Sequence, residues 1–343
     1  MSARRPWAWP LVPIYAGLSR MSQAVKLSQQ RSLFWPVLSV GSLSAGGAGK
    51  TPVVIALARL LQQEGWEVDV LTRGYRRLGD GVEQVKLLTA ERGGDIAVDA
   101  QWFGDEPVMM AQATGAAVWV NSDRFLAGLA AEDATELNET NARRIHLLDD
   151  GFQHVRLARS LDAVLLTRED LDDALLPAGN LRESLAALRR ADVVVVREDE
   201  REFVEARVRR AMRTDAKLWS IRRNLHFDGP LRVLGAGLRP LGFCAIARPV
   251  DFAKSVLSAG CGIIDTIAFA DHHAYTLGNM DEIIATAEKL RASGFVTTEK
   301  DAVKLTAPMR ERLSAFGPLM VAKLRVSFVD EAQVLHDLKE RLR

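Results

Sequence analysis

Gly41-Ser-Leu-Ser-Ala-Gly-Gly-Ala-Gly-Lys-Thr51 decides how this chain is read, because the hydrophobic pattern changes period on either side of it. Trp35-Pro-Val-Leu-Ser-Val40 before it is a short apolar run of strand type, whereas Thr51-Pro-Val-Val-Ile-Ala-Leu-Ala-Arg-Leu-Leu61 after it has helical spacing. A strand, a loop of small residues and a helix opened by Lys and Thr form the arrangement that cradles phosphates. Small residues let the backbone turn tightly and aim consecutive N–H groups inward, and the helix start adds its positive dipole end. On this reading Ser44, Gly46, Gly47, Ala48, Gly49, Lys50, Thr51 and Pro52 hold a nucleotide. Lys50 supplies a point charge, Thr51 offers a hydroxyl to Mg²⁺, and Pro52 suits the first helical turn, where no N–H is needed. Ser44 stands where the usual G-x-x-x-x-G-K-[ST] pattern begins with glycine, and a Gly-rich turn without a ligand is the competing reading.

Working outward, strands and helices alternate from Val37 to about Arg223. Strands are expected at 37–40, 67–71, 117–120, 145–148, 163–166, 193–196 and 218–221, and helices at 52–63, 107–114, 124–131 and 202–213. Several strands are continuous apolar runs, as strands covered on both faces are. The order implies an α/β fold of the P-loop NTPase-like type, doubly wound around a mostly parallel sheet, with ligands at the carboxyl ends of its strands. At 343 residues two units are expected: a kinase-like unit at 31–223, a linker at 224–240 carrying Gly229-Pro230, and a smaller α/β unit at 241–343.

Formal net charge is +1, which gives no reason to expect nucleic-acid binding, and the two cysteines, Cys244 and Cys261, are too few for a disulfide framework. No apolar run reaches the length of about 18 residues needed for a transmembrane helix. The N-terminal segment, residues 1–30, nevertheless repeats Trp7, Leu11, Ile14, Tyr15, Leu18, Met21 and Val25 at helical steps, while Arg4, Arg5, Arg20, Lys26 and the following Arg31 supply only positive charge. That pattern describes an amphipathic helix lying in a bilayer interface, or one packed on the domain; the pattern fits both.

Four further groups carry chemistry. The apolar strand of Arg144-Ile-His-Leu-Leu-Asp-Asp-Gly-Phe-Gln-His154 ends in Asp149 and Asp150, the carboxylates a P-loop needs nearby to hold Mg²⁺, although turn formation also explains them. Asp105 and Glu106 precede Pro107, where an Asp serves either as helix N-cap or as a base accepting a hydroxyl proton. Asp271-His-His-Ala-Tyr275 follows a strand and suits proton transfer or a phosphate contact. Three loops bring Arg73 with Tyr75, Arg124, and Arg182 with Glu183, whose guanidinium groups suit phosphates or sugar hydroxyls; a surface salt bridge is the plain alternative for each.

Read in order, the phosphate loop, Arg73-Gly-Tyr75, Gly104-Asp-Glu-Pro107, Asp149-Asp-Gly-Phe-Gln-His154, Leu176-Pro-Ala-Gly-x-Leu-Arg-Glu183, Asp271-His272 and Thr298-Glu-Lys-Asp301 resemble the tetraacyldisaccharide 4′-kinase family, the lipid A 4′-kinases of Gram-negative bacteria. Ser44 resembles that family too, where a hydroxyl residue occupies the position. The resemblance implies transfer of the γ-phosphoryl group of ATP, with Mg²⁺, to the 4′-hydroxyl of a tetraacylated glucosamine disaccharide 1-phosphate (lipid A disaccharide 1-phosphate). It further implies work at the cytoplasmic face of the inner membrane, on the membrane surface, with no obligate protein partner. By motif position it implies Asp105 as catalytic base paired with His272, Thr51, Asp149 and Asp150 for the metal, and Arg73, Tyr75, Glu106, Arg124, His154, Arg182 and Glu183 around nucleotide and acceptor. Arg76-Arg77 and Arg197-Glu198 depart from the family, standing where glycines and Asn-Gly are common. A base on one unit and a histidine on the other predict closure about the 224–240 linker. Outside the resemblance, the expected alternatives are a P-loop kinase or ligase for a soluble metabolite and a nucleotide-dependent switch. A guanine-specific [NT]-K-x-D motif is absent, since Lys300 and Asp301 are adjacent.

Overall fold

Short apolar runs bounded by turns form strands and amphipathic runs form helices throughout the described residues of this computed structural model, which are 5–45, 49–87, 96–134, 143–228 and 239–342. The first unit runs α1 (Val12–Ser28), β1 (Val37–Ser42), α2 (Lys50–Gln63), β2 (Trp66–Thr72), β3 (Glu83–Gln84), α3 (Ile96–Phe103), α4 (Asp105–Thr114), β4 (Ala117–Val120), α5 (Arg124–Asp133), β5 (Arg143–Asp149), β6 (Leu161–Leu166), α6 (Arg168–Asp172), β7 (Val193–Arg197), α7 (Arg201–Ala211) and β8 (Lys217–Asp228). The second runs β9 (Leu241–Cys244), α8 (Pro249–Ser258), β10 (Thr266–Ala268), α9 (Leu277–Leu290), β11 (Phe295–Thr298), α10 (Glu299–Ala302), α11 (Ala307–Phe316), β12 (Leu319–Phe328) and α12 (Glu331–Arg341).

The twelve strands of the described residues join one sheet in the order β10-β9-β11-β12-β8-β7-β6-β1-β5-β2-β4-β3. Among the described residues only the β8–β12 and β3–β4 pairs are antiparallel, so the expected mostly parallel α/β sheet is present. Strand β1 lies between β5 and β6, where the winding reverses, and its residues are buried along its whole length. The carboxyl ends of such a central pair form a crevice that no helix covers, and ligands bind there. Helices α2 and α4 pack one face with Val53, Val54, Leu57, Val108 and Met110, while Leu166, Val196, Val204 and Val208 fill a second cluster.

The expected linker begins inside a strand. Residues 224–228 continue β8, because they pair with β12 from Ile221–Phe328 to Asp228–Val321 instead of facing water; 229–238 lie outside the described residues. The terminal helix also returns to the first unit, where Val334 and Leu338 join its core and the Trp219 indole donates to Asp337 at 2.9 Å. A closing movement between the units would act on this shared ladder, since residues 224–228 of the expected linker are part of it.

The N-terminal segment is docked by one side. Ala8 is buried against Ala174 and Ala178, the Arg5 amide donates to the Ala178 carbonyl at 2.7 Å, and Arg190 donates to Gln23 at 2.8 Å. No residue of α1 is buried, and Trp7 (74% exposed), Ile14, Leu18, Met21 and Val25 face outward. Among the described residues no helix is long and apolar enough to cross a membrane.

Candidate active site

A cavity of about 860 Å³ opens where the carboxyl ends of β1 and β5 meet the second unit. Gly49, with φ of 82°, turns the chain into α2 through a left-handed conformation that other residues adopt only with strain. Gly41 allows a second close approach: a Cβ there would lie 2.5 Å from that of Phe152, so the phosphate loop and the turn after β5 press together. Lys50 Nζ then sits 3.3 Å from Ser42 Oγ and 3.4 Å from Asp150 Oδ1. Thr51 and Pro52 line the cavity. Ser44 does not: it is buried in a β-bridge to Leu181, and its carbonyl accepts from Arg182 Nη2 at 2.9 Å. Gly46, Gly47 and Ala48 lie outside the described residues.

The two aspartates after β5 are held differently. Burial would raise Asp150, but Lys50 and a two-pronged contact from Arg182, at 2.8 and 3.0 Å, hold its carboxyl below the ordinary range. Asp149 is buried beside Glu106 and Asp150 and is pushed up to about 7. One of its oxygens accepts from Thr72 at 3.0 Å, while Oδ1 is buried with no hydrogen-bond partner. A buried carboxylate with an unused oxygen and no basic partner of its own is what a divalent cation satisfies, so the residues fit Mg²⁺. Among the described residues no three His, Cys, Asp or Glu side chains gather around one point.

Opposite, the second unit reaches over α4. His272 Nδ1 lies 3.0 Å from Asp105 Oδ2, and His272 Nε2 lies 3.1 Å from Lys300 Nζ. Burial works against the Lys300 ammonium, but Glu106 at 3.2 Å, Asp105 and Asp271 overcome it and raise its affinity for the proton. An ammonium only donates, so Nε2 accepts from it and Nδ1 carries the hydrogen given to Asp105. Burial pushes the Asp105 carboxyl up; the His272 hydrogen bond and the Lys300 charge outweigh that and hold it ionised below its ordinary range. His272 adopts φ of 61°, and Tyr75 packs against its ring at 5.1 Å between centroids. His273 turns away, stacked on Phe269 and 3.0 Å from Asn279, so the doubled histidine is resolved by geometry.

Of the other expected residues, Arg73, Tyr75, Glu106, Arg124, His154 and Arg182 line the same cavity. Arg124 is buried and donates to the Ser122 carbonyl at 2.7 Å; burial, with Arg124 nearby, pushes the His154 imidazole down to about 4 and leaves it neutral. Glu183 faces elsewhere, pairing with Arg190 at 2.8 Å and accepting from Gln153 at 3.0 Å. The departure at Arg76 has a local expression, because Arg76 takes the left-handed φ of 59° that glycine suits best. Sequence reasoning assigned no site role to Lys300, to Arg223 on β8, or to the apolar wall of Leu225, Ile246, Phe252 and Leu324. The Thr298-Glu-Lys-Asp301 motif was the available signal for Lys300; the others lie on elements whose spacing speaks only of packing.

Comparison with known proteins gives a consistent result. The family model for tetraacyldisaccharide-1-P 4′-kinase (LpxK) matches residues 5–343. Proteins named tetraacyldisaccharide 4′-kinase are similar to this chain in Koribacter versatilis (34% identity, covering 91% of this chain and 90% of that protein) and in Syntrophus aciditrophicus (37%, covering 84% and 80%). A crystal structure of the "apo" form of LpxK from Aquifex aeolicus in complex with ATP superposes with a TM-score of 0.74 at 26% identity, covering 98% of both chains.

Proposed function

Because the chain belongs to the tetraacyldisaccharide 4′-kinase family, we propose that it transfers the γ-phosphoryl group of ATP to the 4′-hydroxyl of a tetraacylated glucosamine disaccharide 1-phosphate, giving lipid IVA in lipopolysaccharide biosynthesis. The observation that carries this reading is that one cavity holds both the Lys50–Asp150 phosphate cradle and the Asp105–His272 pair. A kinase needs little else, since phosphoryl transfer depends on positioning and on charge placed at the equatorial oxygens.

In this reading Gly49, Lys50, Thr51 and Pro52, with Gly46, Gly47 and Ala48, hold the triphosphate. Ser44 supports that loop through its bridge to Leu181. Thr51, Asp149 and Asp150 would hold Mg²⁺, Asp150 being also paired with Lys50 and Arg182, and the ion would neutralise charge on the phosphates. Asp105 accepts the proton of the acceptor hydroxyl; a carboxylate of low basicity suffices, because in a loose transition state the proton leaves late. His272 and Lys300 keep Asp105 ionised and aimed. Arg73, Arg124, Arg182 and Glu106 surround the transferring group and the sugar, Tyr75 offers a face for the ring, and His154 a neutral hydrogen-bonding group. Glu183 acts from behind, through Gln153 and Arg190.

The acceptor also explains the outward apolar stripe of α1. Four acyl chains keep such a substrate in lipid, and the outward stripe supports our reading that the enzyme works on the cytoplasmic face of the inner membrane, each buried CH₂ contributing about 0.8 kcal/mol. The deciding experiment is mass spectrometry of the disaccharide lipid after incubation with ATP and Mg²⁺, wild type against Asp105→Ala. A gain of one phosphate at the 4′ position with wild type alone is expected; no gain with wild type removes the reading.

A further inference from the structure

Arg182 lines two cavities. One is the catalytic cavity; the other, of about 250 Å³, lies between α1 and the segment from Leu175 to Arg190. Tyr15, Ser19, Arg20 and Gln23 form its helix wall, and Glu183 and Arg190 face them. The Tyr15 hydroxyl donates to the Arg182 carbonyl at 3.2 Å, so the helix wall is tied to the residue shared with the catalytic cavity.

The charges in this second cavity do not cancel. Arg182 is held by Asp150 and Arg190 by Glu183, one partner each. The exposed side chain of Arg20 has no ion pair or hydrogen bond among the described residues, and the buried Nε of Arg190 has no hydrogen-bond partner. An unpartnered guanidinium beside a buried unused donor favours an anion with several acceptor oxygens. Alanines at 16, 186 and 187 keep the remaining wall small and apolar enough for a sugar or the start of an acyl chain.

We infer that this cavity is a phosphate subsite, in which Arg20 and Arg190 take the phosphate group of an anionic lipid headgroup. This rests on the family reading, which supplies an acceptor with a phosphate at the end of the disaccharide remote from the reacting hydroxyl. With the 4′-hydroxyl at Asp105, that end extends past Arg182 into the second cavity. A bilayer phospholipid is the other source of the same chemistry.

The test uses the full chain with ATP, Mg²⁺ and two acceptors in mixed micelles: the disaccharide 1-phosphate and the same disaccharide with a free 1-hydroxyl. Arg20→Ala is expected to raise KM for the phosphorylated acceptor about tenfold and to leave KM for the 1-hydroxyl acceptor, KM for ATP and kcat within about twofold. Arg20→Lys, which keeps the charge, should recover most of that affinity. If both acceptor KM values stay unchanged while binding to phosphatidylglycerol vesicles is lost and binding to phosphatidylcholine vesicles is kept, the site belongs to a bilayer headgroup. Equal changes for both acceptors, or no change in KM or vesicle binding, overturn the subsite. Failure of the wild type to phosphorylate the disaccharide 1-phosphate would instead overturn the family reading.

Discussion

The two sides of the catalytic cavity are built by different means. Lys50, Asp150, Arg182 and the Ser44 carbonyl all belong to the first unit, at the start of α2 and on loops that follow β1, β5 and α6, and they hold one another within about a hydrogen bond's reach. Across the cavity, Asp105 and His272 are 167 residues apart and belong to different units; they meet because the sheet continues through β8 and β12 and carries the second unit over α4. The first side also joins residues distant in sequence, Ser44 and Arg182 being 138 apart, but all of them follow neighbouring strands of one unit. The second exists only when the two halves of the sheet have joined, and it carries Asp105, the carboxylate we propose as proton acceptor.

That contrast can be broken most severely from the second side. Asp105→Ala should lower kcat by about 10³-fold with KM for ATP little changed, read from initial rates of product formation, because only the proton acceptor is removed. Lys50→Ala should lower kcat/KM for ATP by about 10²-fold and leave KM for the acceptor unaltered. If Asp105→Ala weakened nucleotide binding as much as Lys50→Ala does, the two sides would not be independent.

A pH titration sharpens the same comparison. Asp149, pushed up to about 7, binds a cation only after losing its proton, so Mg²⁺ affinity of the nucleotide complex should climb about tenfold per pH unit below 7 and level off above it. Isothermal titration from pH 5.5 to 8.5 checks this, and a flat profile would place the metal elsewhere. Without metal the sign for stability is opposite: between its ordinary 3.8 and about 7 the folded chain keeps a proton that the unfolded chain has lost, so folding weakens as pH rises through that window. Asp105, held below its ordinary range, should show no such step in this window.

The smallest expected effect lies outside both sides. Deleting residues 1–30 should reduce vesicle association and turnover of the lipid acceptor several-fold while changing ATP affinity less than twofold. Equal loss of both would mean that the contacts of Arg5, Ala8 and Tyr15 hold the phosphate loop itself through the 174–183 segment.

Most of the first unit was legible in the sequence because its strands are apolar runs closed by turn residues. The expected strand at 117–120 matches β4, and 193–196 differs from β7 by one residue. Two kinds of element escaped. Helix α3 has an apolar composition that runs all round it, with Val98 and Trp102 exposed, so no single face declares itself. Residues 224–228 alternate polar and apolar groups and precede a Gly-Pro pair, and only the partner strand β12 makes them part of the sheet. In the site, Lys300 was visible as a residue of a motif and invisible as a neighbour of His272.

By itself the sequence determined the phosphate loop, the carboxylates after β5 and the family, because each depends on residues adjacent in the chain whose period and backbone freedom fix local geometry. Only the tertiary structure decided that one ladder joins the two units, that His272 and not His273 meets Asp105, and that α1 walls a second cavity ending at Arg182. Those outcomes depend on which distant surfaces pack together, and packing is a property of the folded whole that no local spacing encodes.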